Sequence, residues 1–307
     1  MSVAASFEVI DGLCEMPGKL LFAPILYNEY AFIELKDYHS LKTFLALDQS
    51  GQILARIRFA KTGRDTDWTS LPGAPFGGLE SASEFDVSDF LAYIQSQFQG
   101  SERLELRTGA GIYENNHQAI INAGFAISGE EINHHVDLTS DISLHAMERR
   151  RLRKAEVAGC VFKRWPLDSG GAAKLHSFIS KCRRAQDLEI NITEEDFKLA
   201  TDTLPSEYEA YVVELGDEII AATVVVRVTG DIAYNYLPAS DKAYNHLSPM
   251  VMLMTRLYHE LSDQGFKTLD WGVTSIEGKE QKSLARFKEA MGAVSNRKTI
   301  YLSSLAI

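Results

Sequence analysis

The chain repeats its own order of signals at a distance of 165 residues, and this constrains its fold more than any other feature. In the first copy Gly51 leads into Ile53, Leu54 and Ala55; in the second, Gly216 leads into Ile219, Ile220 and Ala221. Both runs are rich in β-branched residues and bounded by a glycine turn, the pattern of hairpin strands. A proline-containing loop follows in each, around Pro75 and around Pro238. A helix comes next. Val87, Phe90, Leu91, Ile94 and Phe98 recur at helical spacing in one copy, and Leu253, Leu257 and Leu261 in the other. These helices stop near Gly100 and Gly265, since glycine takes the left-handed backbone that ends a helix.

Each copy then supplies a short strand, Arg103–Leu106 or Thr268–Trp271, and a second helix ending at Gly124 or Gly292. Each closes on a strand, INHHVDL or RKTIYLSSL. The span from Leu104 to Gly124 is 20 residues and from Leu269 to Gly292 is 23; the excess falls in the loop IEGKEQKS. Two α/β domains of one kind are expected, 1–140 and 141–307, and the 307-residue length suits two domains. The joining segment has helices of its own. One carries Leu144, Met147, Leu152 and Ala155, with cap candidates Ser140, Asp141 and Ser143 and a stop at Gly159. Another carries Leu175, Phe178, Ile179 and Cys182. Thr193 caps a third, with Asp196 at the third following position, which ends before Pro205.

Charge is unevenly placed. Residues 1–148 hold 9 basic and 21 acidic residues, 149–184 hold 11 and 2, and 185–307 hold 11 and 19. The net charge of −11 argues against general nucleic-acid coating, yet the middle stretch is +9. Arg149, Arg150, Arg151, Arg153 and Lys154 place five cations in six positions, where they repel one another. They read either as a solvated helix face or as a contact to phosphate in a nucleotide, a cofactor or an RNA. Mean hydropathy is −0.13, and no apolar run is long enough for a membrane helix. The N-terminus lacks the pattern of a secretory signal. Cys14, Cys160 and Cys182 are far apart and odd in number, so neither a disulfide framework nor a paired-cysteine metal site follows. A reduced cytoplasm is the expected setting.

This order of elements resembles the GNAT acyltransferase fold, present twice, and the tandem arrangement resembles the Fem peptidyltransferase family. The resemblance is carried by the Gly-x-Ile-x-Ala strand turn, by Ala123-Gly124-Phe125, and by RRRLRKAEVAG, GDEIIAATVVVRV, IAYNYLPASDKAYNHLSP, LDWG and RFKEAMGA. It implies two domains, each a mixed, mostly antiparallel sheet flanked by helices. It also implies transfer of an acyl or aminoacyl group onto an amine in the C-terminal domain, with acyl-CoA or aminoacyl-tRNA as donor and without a metal. On the tRNA alternative, Arg149, Arg150, Arg151, Arg153 and Lys154 are the candidate contact. The sequence departs from the usual GNAT phosphate loop. In place of a glycine-rich stretch, the second copy reads Tyr244-Asn245-His246-Leu247-Ser248-Pro249 and the first reads Glu84-Phe85-Asp86-Val87-Ser88-Asp89.

The candidate chemistry lies in the second copy. Ser248 reads as a helix cap with Pro249 at the first helical position. The amides of that helix start could hold a phosphate, with His246 and Asn245 as added polar groups. Tyr234 and Tyr236 share one face of a strand, and Asn235 points to the other. Acyl transfer to an amine requires proton loss from the amine, donors on the carbonyl oxygen and a proton for the leaving group. Tyr236 and Tyr234 are candidate acids, and Asp270 is a candidate group to orient or deprotonate the amine. Lys288, in the Arg286-Phe287-Lys288 run most like the Fem pattern, is a candidate donor contact. Each has a structural alternative: packing tyrosines, a carboxylate paired with a neighbouring cation, a surface lysine. His134 and His135 are adjacent, so a strand sends them to opposite faces and they do not form a metal pair. Trp68, Pro75, Phe76, Gly77 and Gly78 either line a cleft or make a tight turn over the core. The competing class is a tandem GNAT-like binding or regulatory module without catalysis.

Overall fold

A computed structural model describes residues 5–63, 67–98, 103–109, 116–188, 190–276 and 279–303. In chain order the elements are β1 (Ser6–Asp11), α1 (Tyr30–Glu34), β2 (Ser40–Leu47), β3 (Ile53–Lys61), β4 (Trp68–Thr69), β5 (Glu80–Ser81), α2 (Ser88–Ser96), β6 (Leu104–Arg107), α3 (His117–Asn122) and β7 (Phe125–Asp137). They continue with α4 (Ala146–Val157), β8 (Val161–Trp165), α5 (Ser169–Arg184), α6 (Glu194–Thr203), β9 (Tyr208–Leu215), β10 (Glu218–Arg227) and β11 (Ile232–Ser240). The last are α7 (Pro249–Asp263), β12 (Thr268–Val273), β13 (Ser275–Ile276), β14 (Lys279–Glu280), α8 (Lys282–Ala290) and β15 (Val294–Ser303).

The chain forms two units, 1–132 with 296–307, and 133–295. The sequence places its break near residue 140. The closing strands do not stay with their own copies. The second half of β7 pairs antiparallel with β12, Asp137 opposite Thr268 and Asn133 opposite Val273. β15 pairs antiparallel with β6, Ile300 opposite Arg107. Local alternation shows that a segment is a strand but not which neighbour it will join.

In the first unit, β1, β2, β3 and β4 pair antiparallel in sequence, and β4 then pairs parallel with β6. Every residue of β3 but the last is buried, Arg56 and Arg58 included. A buried charge must be paired to be tolerated. Arg56 meets Glu80 at 2.7 Å and Glu29 at 2.9 Å. Arg58 donates to Thr43 Oγ1 at 3.0 Å and to the Asn28 carbonyl. The end of β4 is closed over. Ser70 N donates to the Glu105 carbonyl at 2.8 Å, and Arg107 N donates to Ser70 Oγ at 2.8 Å. Leu71 and Phe76 fill the space beyond, and Lys298 Nζ donates to the Pro75 carbonyl at 3.0 Å. The loop from Trp68 to Gly78 is thus a tight turn over the core. A Cβ on Gly77 would lie 2.4 Å from the Ser70 carbonyl oxygen, so only glycine fits there. The expected stop of α2 at Gly100 lies outside the described residues.

In the second unit, β8, β9, β10 and β11 pair antiparallel in sequence, and β11 pairs parallel with β12. The core packs Leu253, Leu257 and Leu261 of α7 against Ile220, Val225, Ala233 and Leu269 of the sheet. α4 packs on α7, while α5 packs on β11. The cap of α4 is His145, whose Nδ1 accepts from Met147 N, rather than Ser140, Asp141 or Ser143. Thr193 caps α6 as expected, accepting from Asp196 N at 3.1 Å.

Candidate functional site

β11 and β12 run in register for only three residues, from Ile232 opposite Thr268 to Tyr234 opposite Asp270. Beyond that point β11 stays with β10, while β12 bulges and pairs with β7. Trp271 is the extra residue of the bulge, between Asp270 opposite His135 and Gly272 opposite His134. The two parallel strands therefore separate where Tyr236 and the bulge begin.

Two side chains of opposite charge hold the bulge. Asp270 Oδ1 accepts from Gly272 N at 2.6 Å, and Oδ2 accepts from Asn133 Nδ2 at 2.9 Å. Lys288 Nζ donates to the carbonyls of Trp271 at 2.9 Å, Gly272 at 2.7 Å and Val273 at 3.2 Å. Both residues are buried, at 2% and 3% exposure. Asp270 is therefore not an open carboxylate at a strand end, and Lys288 is not a surface lysine. Beneath them His134 is fully buried, with Nδ1 3.2 Å from Thr274 Oγ1 and Nε2 4.0 Å from Glu289. Burial, and then the Lys288 ammonium, push the His134 imidazole below its ordinary range, so it is neutral at pH 7.

Gly272 has φ +74, and a Cβ there would sit 3.3 Å from the Tyr234 ring. Gly272→Ala is expected to cost about 1–3 kcal/mol through left-handed strain. Urea denaturation checks this, and an unchanged midpoint would refute it.

Tyr234 and Tyr236 lie on one face of β11 with rings stacked, centroids 6.1 Å apart. Asn235 faces the other way and accepts from Thr223 Oγ1 at 2.6 Å. Burial pushes the Tyr236 phenol up to about 12, and the Arg183 guanidinium opposes part of that rise. Arg183, near the end of α5, was not a candidate from sequence. Burial lowers its pKa, with the two tyrosines acting in the opposite sense. Its Nε is buried and has no hydrogen-bond partner among the described residues. Lys181, Arg183 and Arg184, three cations in four positions, gave no sequence signal for this, because only the packing of α5 on β11 selects Arg183.

The other candidates meet at the start of α7. Asn245, His246, Ser248, Pro249 and Phe287 line an open groove of about 530 Å³ together with Arg151 and Lys154 of α4. Ser248 does not cap through its side chain. It sits at φ +58 and ψ +48, and its hydroxyl makes no cap hydrogen bond. Its carbonyl accepts from Val251 N at 3.1 Å, so that helix-start amide is already used. His246 Nδ1 lies 3.0 Å from the Ala243 carbonyl, which makes Nδ1 the protonated nitrogen and leaves Nε2 as an acceptor in the neutral ring. The cationic character of the groove thus comes from α4. Arg151 is partly balanced by Glu148 at 2.8 Å, whereas Lys154 makes no ion pair among the described residues. Among the described residues no cluster of His, Cys, Asp and Glu could hold a metal ion.

Residues 145–289 match the family model for an acetyltransferase (GNAT) domain. By sequence, no curated protein matches the chain. Many solved structures share its fold, among them the following three. FemX aligns at TM-score 0.65 and 11% identity, over 90% of this chain and 92% of its own. The C-terminal domain (DUF2156) of a protein described as a lysylphosphatidylglycerol synthetase from Agrobacterium fabrum aligns at 0.62 and 15%, over 89% and 85%. A tandem GNAT protein of the clavulanic acid biosynthesis pathway aligns at 0.50 and 9%, over 98% and 99%. Residues 145–289 thus match a GNAT acetyltransferase domain, and the chain shares the mixed α/β fold of these structures.

Proposed function

We propose that the chain transfers an acyl or aminoacyl group from a phosphate-bearing donor to an acceptor amine, with the reacting centre where β11 and β12 separate. The observation that carries this reading is the meeting of Arg151, Lys154 and the Asn245–Ser248 turn in one groove at the start of α7. A glycine-rich loop would hold phosphate through several amides. Here Pro249 has no N–H and the amide of Val251 is taken, so two side-chain cations replace them. Acyl-CoA and aminoacyl-tRNA both present phosphate to such a groove.

The acceptor nitrogen attacks the donor carbonyl carbon, a C–N bond forms, and the bond from carbon to the sulfur or oxygen of the leaving group breaks. Tyr236 donates its phenolic proton to that leaving atom, and the proton lost by the amine passes to solvent. With its pKa at about 12 the phenol is protonated at neutral pH, as an acid must be. Asp270 and Lys288 are positioning residues in this scheme, holding the bulge whose backbone borders the reacting centre. Arg183, beside the tyrosine pair, gives the acceptor side a positive charge.

Arg151→Glu with Lys154→Glu is expected to raise KM for the donor about 10–100-fold with kcat little changed, since two phosphate contacts become repulsive. The check is steady-state transfer with acyl-CoA and aminoacyl-tRNA panels and amine acceptors, alongside ligand-induced thermal shift. No transfer and no shift from either donor class would overturn the proposal.

A further inference from the structure

The groove uses only one side of α4. The stripe that packs inward is Glu148, Leu152 and Ala155. At 100° per residue, the opposite side carries Arg150, Arg153 and Val157, flanked by Met147 and Lys154. All five are exposed; Val157 is 90% exposed and Met147 51%. Both acidic residues of the helix lie off this face. Glu148 is buried against Arg151, and Glu156 pairs with Arg256 at 2.7 Å. Arg150, Arg153 and Lys154 join no ion pair among the described residues.

We propose that this outer face of α4 docks on an anionic lipid bilayer. The mixture of residues decides the partner. Three unpaired cations meet any polyanion, but a valine held in water at a helix end contributes nothing to a phosphate contact. At a bilayer, Val157 and Met147 enter the acyl boundary while Arg150, Arg153 and Lys154 stay among the headgroups. Charge complementarity also sets the orientation. The whole chain is −11 and residues 149–184 are +9, so the remainder is −20 and is repelled by an anionic surface. Among the described residues no helix is long and apolar enough to cross a membrane. Lys154 also lines the groove, which places the groove mouth beside the headgroup layer. The inference does not rest on the transferase reading.

The test is co-sedimentation of the full chain at physiological ionic strength. Vesicles of phosphatidylcholine alone are compared with vesicles one third phosphatidylglycerol. Binding is expected only to the anionic vesicles. Arg150→Glu with Arg153→Glu should weaken it at least about thirtyfold, the loss of two cations at roughly 1 kcal/mol each. Val157→Ser should weaken it about tenfold through lost apolar insertion, with an unchanged circular dichroism spectrum. No sedimentation with anionic vesicles would overturn the proposal. So would vesicle binding unaffected by Val157→Ser, together with transfer-RNA binding abolished by the arginine changes, because the face would then be an RNA contact.

Discussion

Tyr236→Phe is expected to lower kcat about 10²–10⁴-fold with little change in KM, the usual range for loss of a positioned acid. The phenol is the proton source in the proposed transfer, and phenylalanine keeps the ring that stacks on Tyr234. The pH dependence has a definite sign. Burial raises the Tyr236 pKa to about 12, so the acid form is fully present at pH 7 and persists through pH 10. The phenylalanine variant should therefore lower the whole rate plateau between pH 7 and 10 without altering its shape. A tyrosine near its ordinary pKa of about 10 would instead start to lose its proton within that window. Steady-state rates across the range check both points, and a variant within threefold of the wild type would remove Tyr236 from the mechanism.

The second large effect concerns Lys288. Lys288→Met keeps the aliphatic stem and removes the ammonium from three main-chain carbonyls. Each carbonyl left without a donor costs about 1 kcal/mol net, so the expected loss is about 3 kcal/mol. Lys288→Arg should recover only part of it, because a planar fork cannot converge on three acceptors as an ammonium does. Activity should fall with stability, since Asp270 alone then holds the bulge. Urea denaturation followed by near-ultraviolet circular dichroism, which reports the surroundings of Trp271, measures the first effect. Full stability in the methionine variant would show that the bulge holds its shape without the ammonium.

Features fixed by local geometry were legible in the sequence. Gly124, Gly265 and Gly292 end their helices at φ +91, +88 and +90, conformations that side chains resist. Pro249 starts α7, Thr193 caps α6, and the alternation of β11 puts Tyr234 and Tyr236 together. Features fixed by distant contacts were not. Asp270 reads either as a group acting on the amine or as the partner of a cation, because nothing local announces that Trp271 is an inserted residue. Lys288 reads as a donor contact or a surface lysine, because its burial depends on carbonyls on another element. Arg56 and Arg58, alternating with apolar residues, look like the wet face of a strand, and only Glu29 and Glu80 far along the chain make them internal. The groove was half visible. Asn245, His246 and Ser248 were grouped by proximity in sequence, while Arg151 and Lys154 joined them only through the packing of α4 on α7.

The placement of β15 bears on the order of events during synthesis. The first unit is complete only when residues 296–303 reach β6, and those residues leave the ribosome after the whole of the second unit. A nascent chain with everything up to α8 exposed still has an open sheet edge along β6, the kind of surface that invites wrong pairing. Folding of the first unit therefore waits on a segment made after the second, and a truncation before residue 296 would damage a sheet built almost 200 residues upstream.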